Sequence, residues 1–65
     1  MKLKINGEIR EIDADTVEKL LSSFGLSARL VVVDVNGQIV NRKDFSTTHL
    51  NANDVVEVLQ MMAGG

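Results

Sequence analysis

The spacing of apolar residues changes several times along the chain, and each change marks an element. Leu3 and Ile5 alternate with Lys2, Lys4 and Asn6, the period of two expected of a half-buried strand whose successive side chains face opposite ways. Asn6-Gly7 follows at once. Both residues accept the positive φ of a type I′ turn, so a β-hairpin is predicted. The return stretch, residues 8–12, is less regular. Ile9 and Ile12 lie three apart, so a regular strand cannot point both at the core, and either a bulge or one exposed isoleucine is implied. Ile12 is expected inside.

From residue 13 the period lengthens. Val17, Leu20, Leu21 and Phe24 fall at i, i+3, i+4 and i+7, one stripe of an amphipathic helix. Asp15 with Glu18 fits a capping box, Thr16 is the substitute cap, and Gly25 stands where a helix closes on a left-handed residue. A short connection leads to the β-branched run Leu30 to Val35, then to Asn36-Gly37 and the return Gln38-Ile39-Val40, a second hairpin. Residues 41–54 are polar and broken, which predicts turns and one short 3₁₀ segment anchored by Phe45 and Leu50. From Val55 strand character returns, before the chain closes on Ala63-Gly64-Gly65.

A single helix with one apolar stripe must cover one face of the sheet, so the pattern predicts a two-layer α+β domain with four or five strands. The last strand follows a long connection and is expected to pair beside the first strand, in the middle of the sheet, with the C-terminal residues projecting from it. The expected division is a domain over 1–61 and a tail over 62–65.

Composition narrows the functions. A chain of 65 residues buries only about 60% of its unfolded surface and has no room for a deep enclosed pocket. The net charge of −2, with seven scattered Lys and Arg and two Phe as the sole aromatics, argues against nucleic acid or an anionic membrane as partner. No stretch approaches a membrane span, and the alternating first residues lack the apolar block of a signal peptide. A cytoplasmic location is expected. With no Cys there is no disulfide framework, thiolate nucleophile or zinc–thiolate site.

Gly64 and Gly65 contribute nothing to a helix or strand. Two readings of them are open: a frayed end, or a thin thread whose carboxylate reaches somewhere narrow. Asn6 to Glu8, the run Thr16 to Leu21, the run Val35 to Val40 followed by Arg42, the run Asp54 to Val58 and the terminal Ala-Gly-Gly form an ordered set. In that set the chain resembles the ubiquitin-like β-grasp sulfur carriers, most closely the ThiS family of thiamine biosynthesis. Asn41 stands where that family usually has Pro, and Asn53 where it has the Gly of a Gly-Asp turn. Asn is the non-glycine residue that most readily turns left-handed, so Asn53 is compatible with the turn.

The resemblance implies a ubiquitin-like β-grasp fold, a mixed sheet packed on one helix with a flexible Gly-Gly tail. It also implies that the Gly65 carboxylate is adenylated by an E1-like, ThiF-type enzyme using ATP and Mg²⁺. Sulfur from a donor such as a cysteine desulfurase then replaces AMP, and the resulting thiocarboxylate serves a ThiG-type thiazole synthase. The chain would be a carrier and substrate, a monomer when free, with no bound cofactor or metal and no catalytic residue of its own. Ala63 and Gly64 would be the slender approach to Gly65. A molybdopterin synthase small subunit and a β-grasp interaction module with an idle tail are the alternatives.

If Val56 and Val58 face the helix, Leu59, Met61 and Val55 point to the opposite face of the sheet. Leu59, Met61 and Met62 are thus a candidate docking patch beside the tail, and packing at the sheet edge is the other reading. The lone His49 lacks the partners of a metal site or triad and reads as a solvated or loop-packing residue. Glu57 reads as a solvent-facing strand residue. Arg29, Arg42 and Lys43 are steering charges or plain solvated surface.

Overall fold

The computed structural model of the chain describes residues 1–61. The predicted boundary after residue 61, and with it Met62, Ala63, Gly64 and Gly65, lies outside the described residues. Five strands form one mixed sheet in the order β2-β1-β5-β3-β4. They are β1 (Lys2–Ile5), β2 (Glu8–Glu11), β3 (Val31–Val35), β4 (Gln38–Val40) and β5 (Val55–Gln60), with one helix, α1 (Val17–Ser23), after the first hairpin. Short 3₁₀ turns occupy Ala28–Leu30 and Arg42–Asp44. The second was expected from sequence and the first was not.

Both hairpins turn where Asn-Gly predicts. Asn6 has φ 50° and Gly7 86°, and Asn36 has φ 53° and Gly37 88°, the doubly positive pattern of type I′ turns. In the first hairpin Leu3 pairs with Arg10 and Ile5 with Glu8, so the even positions of β2 share the core face of β1. Ile9 is therefore on the other face, 73% exposed, while Ile12, just past the strand, is buried. Of the two expectations, the exposed isoleucine holds.

β5 runs parallel to β1, with Ile5 beside Val56, and antiparallel to β3, with Val33 opposite Val58. The last strand is thus central, as its long connection suggested. Its core side carries the fully buried Val56.

The helix has only seven residues, too short to hold its shape alone. Packing supplies what propensity cannot: Val17, Leu20 and Leu21 join Leu3, Ile5, Val33 and Val56 in one core. Burying each leucine is worth about 1.5–3 kcal/mol, large against the roughly 3–10 kcal/mol total stability expected at this length. Its N-cap is Thr16, whose Oγ1 accepts the Lys19 N–H at 3.2 Å. This corrects the Asp15–Glu18 capping box. Asp15 instead pairs its side chain with Lys19 at 3.1 Å and gives its carbonyl to the Leu50 N–H. The next helix donors, on Val17 and Glu18, go to the carbonyls of Thr48 and Phe45. The polar loop therefore closes the helix N-terminus, with Phe45 and Leu50 buried beneath it. At the other end Gly25 turns left-handed at φ 70°, and Leu26 and Gly25 donate to Leu21 and Ser22, a Schellman closure.

The two positions that depart from the family pattern fit their backbone. Asn53 sits at φ 73°, in the left-handed region. Asn41 holds φ −71° and ψ 145°, the extended conformation a proline adopts.

Candidate functional site: the outgoing end of the central strand

β5 runs on past the end of β1, and its last residues, Leu59 and Gln60, pair with β3. Odd-numbered residues of the strand face away from the helix. Val55 is 43% exposed, Leu59 66% and Met61 54%, and β4 adds the exposed Ile39 to the same face. The register brings Val32 opposite Leu59 and Asp34 opposite both Glu57 and Ile39. Asn6, Ile39 and Leu59 border an open hollow there, about 520 Å³ in volume. An open apolar surface with a few polar groups suits a protein partner better than a small substrate, which needs enclosure.

Hydrogen bonding at this end comes from residues distant in sequence. The Asn6 side-chain amide takes both backbone groups of Val58: Oδ1 accepts the Val58 N–H at 2.8 Å, and Nδ2 donates to the Val58 carbonyl at 3.1 Å. At the start of β5, Asn36 does the corresponding work. Its Oδ1 accepts the Val55 N–H at 2.9 Å and its backbone N–H donates to the Val55 carbonyl. Its Nδ2 reaches Asp54 Oδ1 at 3.0 Å. Sequence reading recognised both asparagines as turn residues and missed this second role. No local signal announces a bond across 52 positions.

Other singled-out residues take plain places. His49 is exposed, its Nδ1 3.2 Å from the Thr47 carbonyl. Glu57 is exposed on the outer face. Arg29, Arg42 and Lys43 are exposed, and none forms an ion pair among the described residues. Among those residues, too, no three His, Cys, Asp or Glu side chains gather to hold a metal, and no helix is long and apolar enough to cross a membrane. Met62, Ala63, Gly64 and Gly65 fall outside the described residues.

Among the described residues two carboxylates are perturbed, both away from this end. A hydrogen bond from the N-terminal ammonium, 2.7 Å away, holds Glu11 below the ordinary glutamate range. A hydrogen bond from Lys19 does the same for Asp15. Both are solvent-exposed ion pairs, the second a local pair at the start of the helix.

One short helix on a mixed sheet, with the final strand parallel to the first at its centre, defines a β-grasp domain. A model of the ThiS family matches residues 3–65. The crystal structure of the thiamine biosynthesis protein ThiS from Geobacter metallireducens superposes with a TM-score of 0.83, at 36% identity and over 100% of both chains. Sulfur carrier protein ThiS of Bacillus subtilis is 30% identical over 53 residues, 82% of this chain and 80% of that protein. Thiazole synthase of Paramagnetospirillum magneticum is 39% identical over 66 residues, 100% of this chain but 20% of the synthase. A thiazole synthase of Magnetococcus marinus matches at 33% over the same shares, so the chain spans about a fifth of the length of these two relatives. The chain belongs to the ThiS family.

Proposed function

We propose that this ThiS-family chain, a sulfur carrier of thiamine biosynthesis, carries its sulfur as a thiocarboxylate on Gly65. The observation that carries the reading is the family match, which runs through the terminal Gly-Gly at 3–65. A carboxylate is a poor electrophile, since its charge repels nucleophiles and oxide does not leave. Activation comes first: the Gly65 carboxylate attacks the α-phosphate of ATP held with Mg²⁺ by an E1-like adenylating enzyme, and pyrophosphate leaves. A sulfur nucleophile then displaces AMP from the acyl carbon. Sulfide gives the thiocarboxylate directly, whereas a persulfide from a donor such as a cysteine desulfurase gives an acyl disulfide, which a second thiol reduces, releasing the thiocarboxylate and leaving a disulfide. The thiocarboxylate ionises more readily than an alkyl thiol, so its sulfur is nucleophilic at neutral pH.

This chain contributes shape and no catalytic group. Residues 62–65 form the tail. Ala63 and Gly64 are small enough to pass a slot that would stop larger side chains, and glycine adopts whatever φ the slot requires. Leu59 and Met61, exposed on the outer face, dock on the partner together with Met62. A long, unbranched methionine repacks readily against more than one surface, as a carrier that visits two enzymes needs. Thiazole synthase is the acceptor enzyme. This is supported by two relatives named thiazole synthase in which a segment similar to this chain makes up 20% of the protein. Joining carrier to acceptor enzyme on one polypeptide raises their effective concentration.

The test is intact mass with fragment sequencing after incubation with Mg-ATP, a sulfur donor and the adenylating enzyme. One oxygen exchanged for sulfur at Gly65, and no exchange in a variant lacking Gly64 and Gly65, is the expected result. An unchanged mass, with the enzyme shown to be competent on another carrier, would overturn the proposal.

A further inference from the structure

We infer that Asn6 is a positioning residue for the carrier's docking end. Its side-chain amide acts as one more peptide of β1 and fixes the exit of β5 from the second side. The inference rests on the carrier reading above.

The geometry leaves Asn6 a particular task. β1 ends at Ile5 because Asn6 takes φ 50° and the backbone turns away toward β2. β5 continues well past that point. On its β1 side the last backbone pairings are the Lys4 N–H to the Asp54 carbonyl and the Asn6 N–H to the Val56 carbonyl, each 3.0 Å. Val58 would come next and has no strand on that side. The Asn6 amide fills that place, accepting from the Val58 N–H at 2.8 Å and donating to its carbonyl at 3.1 Å. A side-chain amide does both because, like a peptide group, it carries an acceptor and a donor on one planar group.

Among the described residues, the strand beyond Val58 is held from the β3 side alone. Leu59 pairs with Val32 and Gln60 with Val31, and the Met61 N–H donates to the Leu30 carbonyl. A strand held along one edge swings about that edge, and a contact on the other edge stops it. Among the described residues Asn6 is therefore the last restraint on the β1 side, and it acts at Val58, one residue before the exposed Leu59 and three before Met61. Fixing these side chains in advance lowers the ordering cost of docking. That gain appears in binding, so its loss is read in KM rather than in kcat.

Asn36 provides the internal control. It holds β5 just as firmly but at Val55, the incoming end. Asn6→Gly keeps the positive φ of the turn and removes the amide. Asn6→Asp also suits the turn but sets a carboxylate oxygen against the Val58 carbonyl. Asn36→Gly removes the clamp remote from the docking end.

The experiment is ATP–pyrophosphate exchange with the ThiF-type adenylating enzyme, alongside amide hydrogen exchange and melting of each free carrier. Both Asn6 variants are expected to raise KM for the carrier roughly three- to tenfold with kcat within about twofold. They also lose protection at the Val58, Leu59 and Met61 amides. Asn36→Gly is expected to lower the melting temperature by at least as much while leaving KM near wild type. Unchanged KM in both Asn6 variants would overturn the inference, as would an equal rise in Asn36→Gly, which would make the role one of stability alone. A wild-type carrier that is not adenylated at all would instead remove the carrier reading, and this inference with it.

Discussion

Replacing Asn41 by proline should stabilise the free protein. Asn41 holds φ −71° and ψ 145°, within the range to which the pyrrolidine ring confines φ. The residue before it, Val40, ends strand β4, in the extended region that a following proline demands. The hairpin register pairs Val35 with Gln38 and Val33 with Val40, so the ladder bonds fall on those residues and the Asn41 N–H points off the sheet edge. Its carbonyl accepts the Asp44 N–H at 2.8 Å, a bond that proline retains, and its side chain makes no capping bond. The folded state loses nothing, and the unfolded chain loses freedom. At a compatible site that is worth about 0.4–1 kcal/mol, or roughly 2–8 °C in melting temperature for a domain of this size. Thermal and urea unfolding of Asn41→Pro against wild type measures it. A lower urea midpoint with an unchanged slope would refute the reasoning, because it would mean that the Asn41 N–H or side chain has a stabilising partner.

Two further outcomes follow from the surface. Met61→Asp is expected to leave the melting temperature unchanged within error and to weaken binding to the adenylating enzyme about tenfold, about 1.4 kcal/mol. Calorimetric titration would show it, and an unfolded variant would instead place Met61 in the core. Glu11 and Asp15 are held below their ordinary carboxylate values, so the folded state binds fewer protons than the unfolded one as pH falls. Their contribution is fully present above the ordinary carboxylate range and is lost as the pH drops through the lowered folded values. The urea midpoint of wild type should therefore fall more steeply below that range than the midpoint of the Glu11→Gln, Asp15→Asn double variant. Parallel curves would remove both carboxylates from the acid response.

Much of this architecture is written in short stretches because its causes are local. A type I′ turn needs two adjacent residues that tolerate positive φ, and Asn6-Gly7 and Asn36-Gly37 supply them. The helix needs an apolar stripe and a left-handed stop, and Val17, Leu20, Leu21 and Gly25 lie within nine residues. Even the place of β5 beside β1 was legible, since a strand after a long connection is free to enter the middle of the sheet. The Gly-Gly tail pointed to the carrier family through its setting among the other motifs, and the family match runs through it.

Tertiary structure decided whatever depended on a partner far along the chain. Ile9 and Ile12 are the same residue type, and local pattern could only say that one must give way. The pairing of Leu3 with Arg10 put Ile9 on the open face. Asp15 and Thr16 both had cap chemistry, and the loop carrying Phe45 and Thr48 settled the choice by closing over the helix start and drawing Asp15 into pairing with Leu50. The amides of Asn6 and Asn36 were legible as turn formers, but their grip on β5 is a contact between segments that meet only when the sheet is assembled. Sequence specifies what each residue can do with its neighbours. Which of those capacities is used depends on the groups that folding brings alongside, because a hydrogen bond forms only within about 3 Å.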